Sequence, residues 1–306
     1  MTKKLNLIKR LTMSLPEYER YYREQRKEQF ESNKLFKGAG IREILHPFLI
    51  FGLKVLHLFN GKKITIIGNK SVQTNRPIIF AGTHIGWDDI EMIFSSIGKH
   101  AYLFWGDPHE LYHSIDGFFL NLNGTIIIDT GDKTDRYIGK ESCICWLKQG
   151  GNLLIFPEGV WNTSENQVVQ YMFSGTADMA IQTGADIIPV AIMQYGKRFI
   201  VNIGNNISSE KWTQKQILTD YLRDAMASLQ WEIYETQPII TRNSIPANSS
   251  DLYRQSFIDM GRGTITWKEM KDSSYHPKDV TSPEEAFSFM DKLVPSWENA
   301  FLLRVK

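Results

Sequence analysis

The sequence predicts an α/β protein: a central mixed sheet flanked by helices, preceded by a helical segment. Two observations carry this. From Gly61 to about Glu235, short β-rich runs alternate with stretches of helix length. That alternation implies strands covered by helices on both faces, with ligands bound beyond the strand ends. Ahead of it, residues 1–60 carry two helix signals and no strand pattern. The chain has 306 residues, 42% hydrophobic and 23% charged, enough to bury one large core or two modest ones.

The first helix is expected over Ser14–Phe30, where Ser14 and Glu17 have capping-box spacing and Pro16 lies in the first turn. Tyr18, Tyr21, Tyr22 and Gln25 fall on one face, a stripe suited to packing or to a bilayer interface. Residues 1–30 hold eight Lys or Arg against four Glu. That excess suits anionic lipid head groups, where a basic side chain is worth about 1 kcal/mol, or simply a solvated basic helix. The net charge of +1 makes no case for nucleic acid as a partner.

The second helix is expected from Pro47 to Asn60 and is apolar nearly all round, with His46, Lys54 and His57 read as one narrow polar stripe. The 13 residues Pro47–Phe59 fall short of the roughly 20 that a membrane span needs. Such a helix is buried in protein or lies in a membrane interface. Residues 1–60 therefore read as a membrane-associating segment, peripheral or monotopic. No sustained apolar run follows basic Met1–Arg10, so no signal peptide is expected. Cys143 and Cys145, the only cysteines, make no disulfide framework, which points to a reducing compartment and the cytoplasmic face.

Strands are expected at Lys63–Ile67, Pro77–Ala81, Ala101–Phe104, Thr125–Ile128, Asn152–Phe156, Ile187–Ile192 and Phe199–Ile203. A helix over Ile138–Gln149 is stopped by Gly150-Gly151. A polar stretch, Gln237–Ser250, reads as a linker into a C-terminal extension (237–306) with a helix signal at Thr281–Leu293 and no legible role.

The chemistry gathers at strand ends. Pro77–Ala81 runs into Gly82-Thr-His84-Ile-Gly-Trp-Asp-Asp89, followed by an apolar helix. A spacing of five gives no shared helical face, but a loop that turns into a helix start can fold the Asp89 carboxylate back onto the His84 ring. A carboxylate there fixes the imidazole tautomer and stabilises the imidazolium formed when the ring takes a proton. His84 alone could equally be a satisfied polar residue. Three further blocks follow: Asn123-Gly124-Thr-Ile-Ile-Ile-Asp129, Asn152-Leu-Leu-Ile-Phe156-Pro157-Glu158-Gly159, and Ala185-Asp-Ile-Ile-Pro189-Val-Ala-Ile192.

These four blocks in order resemble the glycerolipid acyltransferase family, whose best-known members are 1-acyl-sn-glycerol-3-phosphate acyltransferases; the resemblance covers roughly residues 61–210. It implies a catalytic domain over 61–236 and direct attack of a lysolipid hydroxyl on the thioester of acyl-CoA or acyl-carrier protein. His84 would be the general base, Asp89 its partner, and Phe156, Pro157, Glu158 and Gly159 the acceptor-side wall, with neither metal nor other cofactor. The chain departs from the family at two points. Where the second block usually ends Asp-Arg, it has Asp129-Thr130, and where the third usually reads Pro-Glu-Gly-Thr-Arg-Ser, it has Gly159-Val160-Trp161-Asn162. Those arginines suit phosphate, because a guanidinium pairs two oxygens at once. Lys133 or Arg136 could replace them, with Trp161 as an acceptor contact; otherwise the acceptor is not a phosphate monoester.

Two other classes compete. A lipid-binding relative without catalysis would not need His84, Asp89 and Glu158 together. His109-Glu110-Leu-Tyr-His113 spells the zinc-peptidase pattern, with two His on one helical face. No third His follows at the expected spacing, so a zinc hydrolase is the weakest reading. Trp105, Phe118 and Phe119 could line an acyl channel or belong to the core.

Overall fold

The computed structural model describes residues 12–32, 35–36, 38–69, 74–106, 115–162, 164, 167–259, 267–276, 294 and 296. Two compact units make up the chain, Met1–Ser274 and Tyr275–Lys306. The sheet, the helices named below and the candidate site belong to the first. The sequence motif His109–His113 and the helix expected over Thr281–Leu293 lie outside the described residues.

Seven strands form one mixed sheet: β1 (Lys63–Gly68), β2 (Ile78–Gly82), β3 (Tyr102–Gly106), β4 (Thr125–Ile128), β5 (Leu153–Ile155), β6 (Asp186–Tyr195) and β7 (Arg198–Ile203), in the order β1-β7-β6-β2-β5-β3-β4. Every neighbouring pair is parallel except the β6–β7 hairpin. All five residues of central β2 are buried, as befits a strand covered on both faces. Its side chains alternate between two apolar layers, Ile79 and Ala81 on one face, Ile78 and Phe80 on the other.

The first layer is closed by α5 (Lys133–Lys148), α6 (Gly175–Thr183) and α7 (Lys215–Glu235), through side chains such as Leu147, Met179 and Leu222. The second is closed by α3 (Asp89–Ile97), through Ile90, Met92, Ile93 and Phe94. Helix α4 (Ile115–Asn123) leads into β4, and α8 (Ser249–Asp259) and α9 (Trp267–Ser273) follow α7. The α5 N-cap, Asp132, accepts the Asp135 N–H at 2.8 Å, and the helix gives way at Gln149 to Gly150, which adopts φ +88°.

Asn152 ties down the rim where the strands begin. Its side-chain oxygen accepts the Ile78 N–H (3.0 Å) and its amide donates to the His100 carbonyl (2.9 Å). Its own carbonyl accepts from the Tyr102 N–H and the Trp146 indole N–H, both at 2.9 Å.

Helix α1 (Leu15–Glu31) begins as its capping signal predicts, with the Glu17 carboxylate accepting the Ser14 N–H at 3.0 Å. It docks on α5 and the turn before it through ion pairs, Arg26 to Asp135 of the helix (2.6 Å) and Arg23 to Asp129 of the turn. Helix α2 (Ala39–Phe59) starts eight residues before the expected Pro47, which sits inside it. A proline is disfavoured inside a helix, through its missing N–H and its clash with the preceding turn, which is why Pro47 read as a start; Ala39, Arg42, Glu43 and Leu45, all good helix formers, extend the helix ahead of it.

The polarity of α2 is inverted. Its buried residues are His46 and His57, whereas Ile41, Ile44, Phe48, Phe51, Leu58 and Phe59 are exposed, Phe59 by 83%. His46 Nδ1 meets Asn123 Oδ1 at 2.7 Å, and His57 Nε2 meets Glu91 of α3 at 3.3 Å. Eleven residues apart, the two histidines differ by only about 20° around the axis. Lys54, about 80° from His46, leaves the expected stripe and is exposed. Phe118 and Phe119 are exposed too, while Trp105 packs on the second apolar layer.

Candidate active site

The site is built at the carboxyl ends of β2 and β5, where the chain leaves β2 for α3 and β5 for a turn. Thr83 continues the β2–β6 ladder: its N–H donates to the Val190 carbonyl and its hydroxyl accepts the Ile192 N–H, both at 3.0 Å. His84 follows, and the chain reverses over Gly86 so that Asp89 becomes the first residue of α3. This reversal is what lets a spacing of five work. His84 Nδ1 and Asp89 Oδ2 are 2.7 Å apart. The same oxygen accepts the Ile85 N–H (2.7 Å) and the Gly86 N–H (3.1 Å). Asp89 is wholly buried, and two fixed main-chain donors mark Oδ2 as an acceptor. Nδ1 therefore carries the hydrogen, and the lone pair lies on Nε2. Among the described residues nothing hydrogen-bonds that nitrogen.

The Phe156–Asn162 turn grips His84 from both sides of its main chain. Glu158 Oε1 accepts the His84 N–H at 3.1 Å, and the Asn162 N–H donates to the His84 carbonyl at 2.8 Å. Glu158 Oε2 accepts the Gln170 N–H at 2.8 Å. Glu158 is wholly buried, and burial pushes its carboxyl up to about 7 against the opposing pull of those two N–H groups. Its carboxylate thus faces main chain, and the wall that faces His84 is aromatic. The Phe156 ring stacks on the imidazole at 4.3 Å and Trp161 meets it edge-on at 5.9 Å. Trp87 lies 5.1 Å from Trp161 in a T-shaped pair.

Small residues make room for these rings. A Cβ at Gly82 would stand 3.0 Å from Phe156 Cε1. Gly159 adopts φ +77°, where a Cβ would stand 2.6 Å from the Phe173 ring. The Phe173 N–H donates to the Pro157 carbonyl at 3.0 Å. Gln170 also donates from its side chain to the Trp161 carbonyl (3.2 Å), and Arg223 of α7 donates to the Val169 and Gln170 carbonyls while lying 4.3 Å over the Tyr171 ring.

His84, Asp89, Phe156, Pro157, Glu158, Gly159 and Trp161 thus come together. Asp129, Lys133 and Arg136 form a separate group at the end of β4, three strands from β2 and so about 14 Å across the sheet. There Asp129 is paired with Arg23, Arg136 donates to the Thr130 carbonyl, and Lys133 is exposed. Trp87, Gln170 and Arg223 were not identified from sequence. Trp87 stood inside the His-x4-Asp block and could have been singled out. Gln170 acts through its main chain and Arg223 from a helix more than fifty residues downstream, so neither left a local signal. Among the described residues no group of three or more His, Cys, Asp or Glu side chains is placed to hold a metal ion.

Residues 63–193 match the family model described as Acyltransferase. A 1-acyl-sn-glycerol-3-phosphate acyltransferase of Borreliella burgdorferi is 24% identical over 171 residues, 56% of this chain and 67% of that protein. One of Chlamydomonas reinhardtii is 23% identical over 135 residues, 44% of this chain and 40% of that protein. The chloroplastic one of Arabidopsis thaliana is 23% identical over 157 residues, 51% of this chain and 43% of that protein. The chain thus spans about two fifths of the length of two of these relatives. In fold it is similar to the crystal structure of the 1-acyl-sn-glycerophosphate acyltransferase of Thermotoga maritima, with a TM-score of 0.54 at 15% identity, covering 65% of this chain and 83% of that one.

Proposed function

Because the chain belongs to the glycerolipid acyltransferase family, we propose that it moves a fatty acyl group from a thioester, acyl-CoA or acyl-carrier protein, to the free hydroxyl of a lysolipid. The observation that carries this reading is the His84–Asp89 pair, 2.7 Å apart, with the Nε2 lone pair unengaged beside an aromatic wall. His84 Nε2 takes the proton as the hydroxyl oxygen attacks the thioester carbonyl. Asp89 stabilises the imidazolium. When the tetrahedral intermediate collapses, the C–S bond breaks and the imidazolium returns the proton to the leaving thiolate. The thioester is a co-substrate, and no cofactor enters the steps.

The acceptor is a membrane lipid, so the site needs access to a bilayer. The exposed apolar face of α2 supports a role as a monotopic foot on the cytoplasmic leaflet. Burying one such Phe or Leu is worth about 1.5–3 kcal/mol, against a helix that keeps its histidines for the protein. Among the described residues no helix is long and apolar enough to cross a membrane.

The test is thiol release from an acyl thioester, dependent on added lysolipid, by wild type and His84→Ala side by side. General-base catalysis contributes about 10²–10⁴-fold, so the variant should lose at least that much while keeping its circular dichroism. Near-normal turnover by the variant would remove His84 from the mechanism.

A further inference from the structure

From the wall around His84 we infer that the acceptor carries an uncharged head group, a monoacylglycerol or monoacylated glycosylglycerol, with Trp161 and Trp87 as the specificity-determining surface. This rests on the acyl-transfer reading above and adds the substrate class.

Three observations lead there. First, the Trp161 ring lies edge-on to the base itself, its centroid 5.9 Å from that of the imidazole. It is held rigidly: its carbonyl accepts from Gln170, and the next residue's N–H is bonded to the His84 carbonyl. Trp161 is 9% exposed and Trp87 40%, so Trp87 supplies most of the pair's accessible surface. At 5.1 Å the two rings touch each other and leave no gap for an ion between them. An indole face is the negative side of its quadrupole, so it accepts the C–H faces of glycerol or a sugar ring and disfavours a phosphate dianion.

Second, apart from exposed Lys133, which lies at the end of β4 three strands from β2, the described cations nearest these blocks are already engaged. Lys62 pairs with Asp88 at 2.7 Å, Arg23 with Asp129 and Asp132, and Arg136 with the Thr130 carbonyl. Arg223 holds two carbonyls and the Tyr171 ring. Third, the ionisable groups buried behind His84, Asp89 and Glu158, are acidic and offer no positive charge to a phosphate monoester.

Binding and turnover test this separately. His84→Ala, which keeps the wall, is titrated by tryptophan fluorescence with 1-monoacylglycerol, a monoacylated glycosylglycerol, lysophosphatidate and lysophosphatidylcholine of one chain length in dodecyl maltoside micelles. The neutral lipids should bind at least tenfold more tightly than either phospholipid. Wild-type kcat/KM should follow the same order, and Trp161→Arg should shift the ratio toward lysophosphatidate by at least tenfold. Trp161→Ala, which needs no new side chain accommodated, should lose the neutral preference without gaining the phosphate one. Equal or tighter binding of lysophosphatidate or lysophosphatidylcholine to His84→Ala overturns the inference, even if acyl transfer itself is demonstrated. Neutral binding without any acyl transfer by wild type would instead overturn the catalytic reading and leave the head-group assignment standing.

Discussion

Glu158→Gln separates a charge that the fold tolerates from the hydrogen bonds that charge makes. In the folded protein burial raises the carboxyl from 4.5 to about 7, while the unfolded chain keeps the ordinary value. The folded state thus binds the proton more tightly, and this group's contribution to stability is present below pH 4.5 and lost as pH rises through about 7. Between pH 5 and pH 8 the loss comes to roughly 2–3 kcal/mol, since each unit of pKa difference is worth about 1.4 kcal/mol. Glutamine carries no charge at either pH, so its urea midpoint should lack this component. It keeps one oxygen for the His84 or the Gln170 N–H but sets an amide donor against the other, so at pH 5 it should be the less stable protein. Urea unfolding of both proteins at the two pH values is the assay. The stability difference should narrow or reverse toward pH 8, and two parallel profiles would refute the assignment of a shifted, buried carboxyl at this position.

Asp89→Asn should lower kcat by about 10²–10⁴-fold with little change in acceptor binding, because the amide can still orient the ring but cannot stabilise the imidazolium; a matching rise in KM instead would mean a binding role. Phe48→Asp with Phe51→Asp removes two exposed rings from α2 and should reduce sedimentation with anionic vesicles by more than tenfold while leaving the melting profile unchanged; unaltered vesicle binding would rule out that face. Arg26→Ala leaves Asp135, only 1% exposed, without its cation and should destabilise the protein by about 2–3 kcal/mol in urea titration, less than a fully buried pair would because Arg26 is partly solvated.

All seven strands were legible because apolar β-branched runs bounded by turn residues leave few other options. Their ends moved by a residue or two, except that β6 runs on to Tyr195 to turn into β7. The His84–Asp89 pair was legible from a spacing that is uninformative on a helix, because the residues between included the glycine that reverses the chain. What was hidden depended on contacts distant in sequence. Glu158 read as a wall residue, yet its carboxylate is turned inward by the His84 and Gln170 amides. The apolar run of α2 announced a helix but not which side would face the protein; His46 and His57 decide that by finding Asn123 and Glu91, neither of which is near in sequence.

Asn152 has a consequence for how this scaffold could diversify. One amide and one carbonyl stitch the entrances of three strands to the end of α5, so the lower rim is fastened by groups that have no part in any reaction. The upper rim, by contrast, is closed by turns held chiefly through main-chain groups, at His84 and under Arg223. Grafting a different Val160–Asn162 turn onto this chain would alter the acceptor wall without touching the knot below, which makes that turn the natural place to exchange one lipid preference for another.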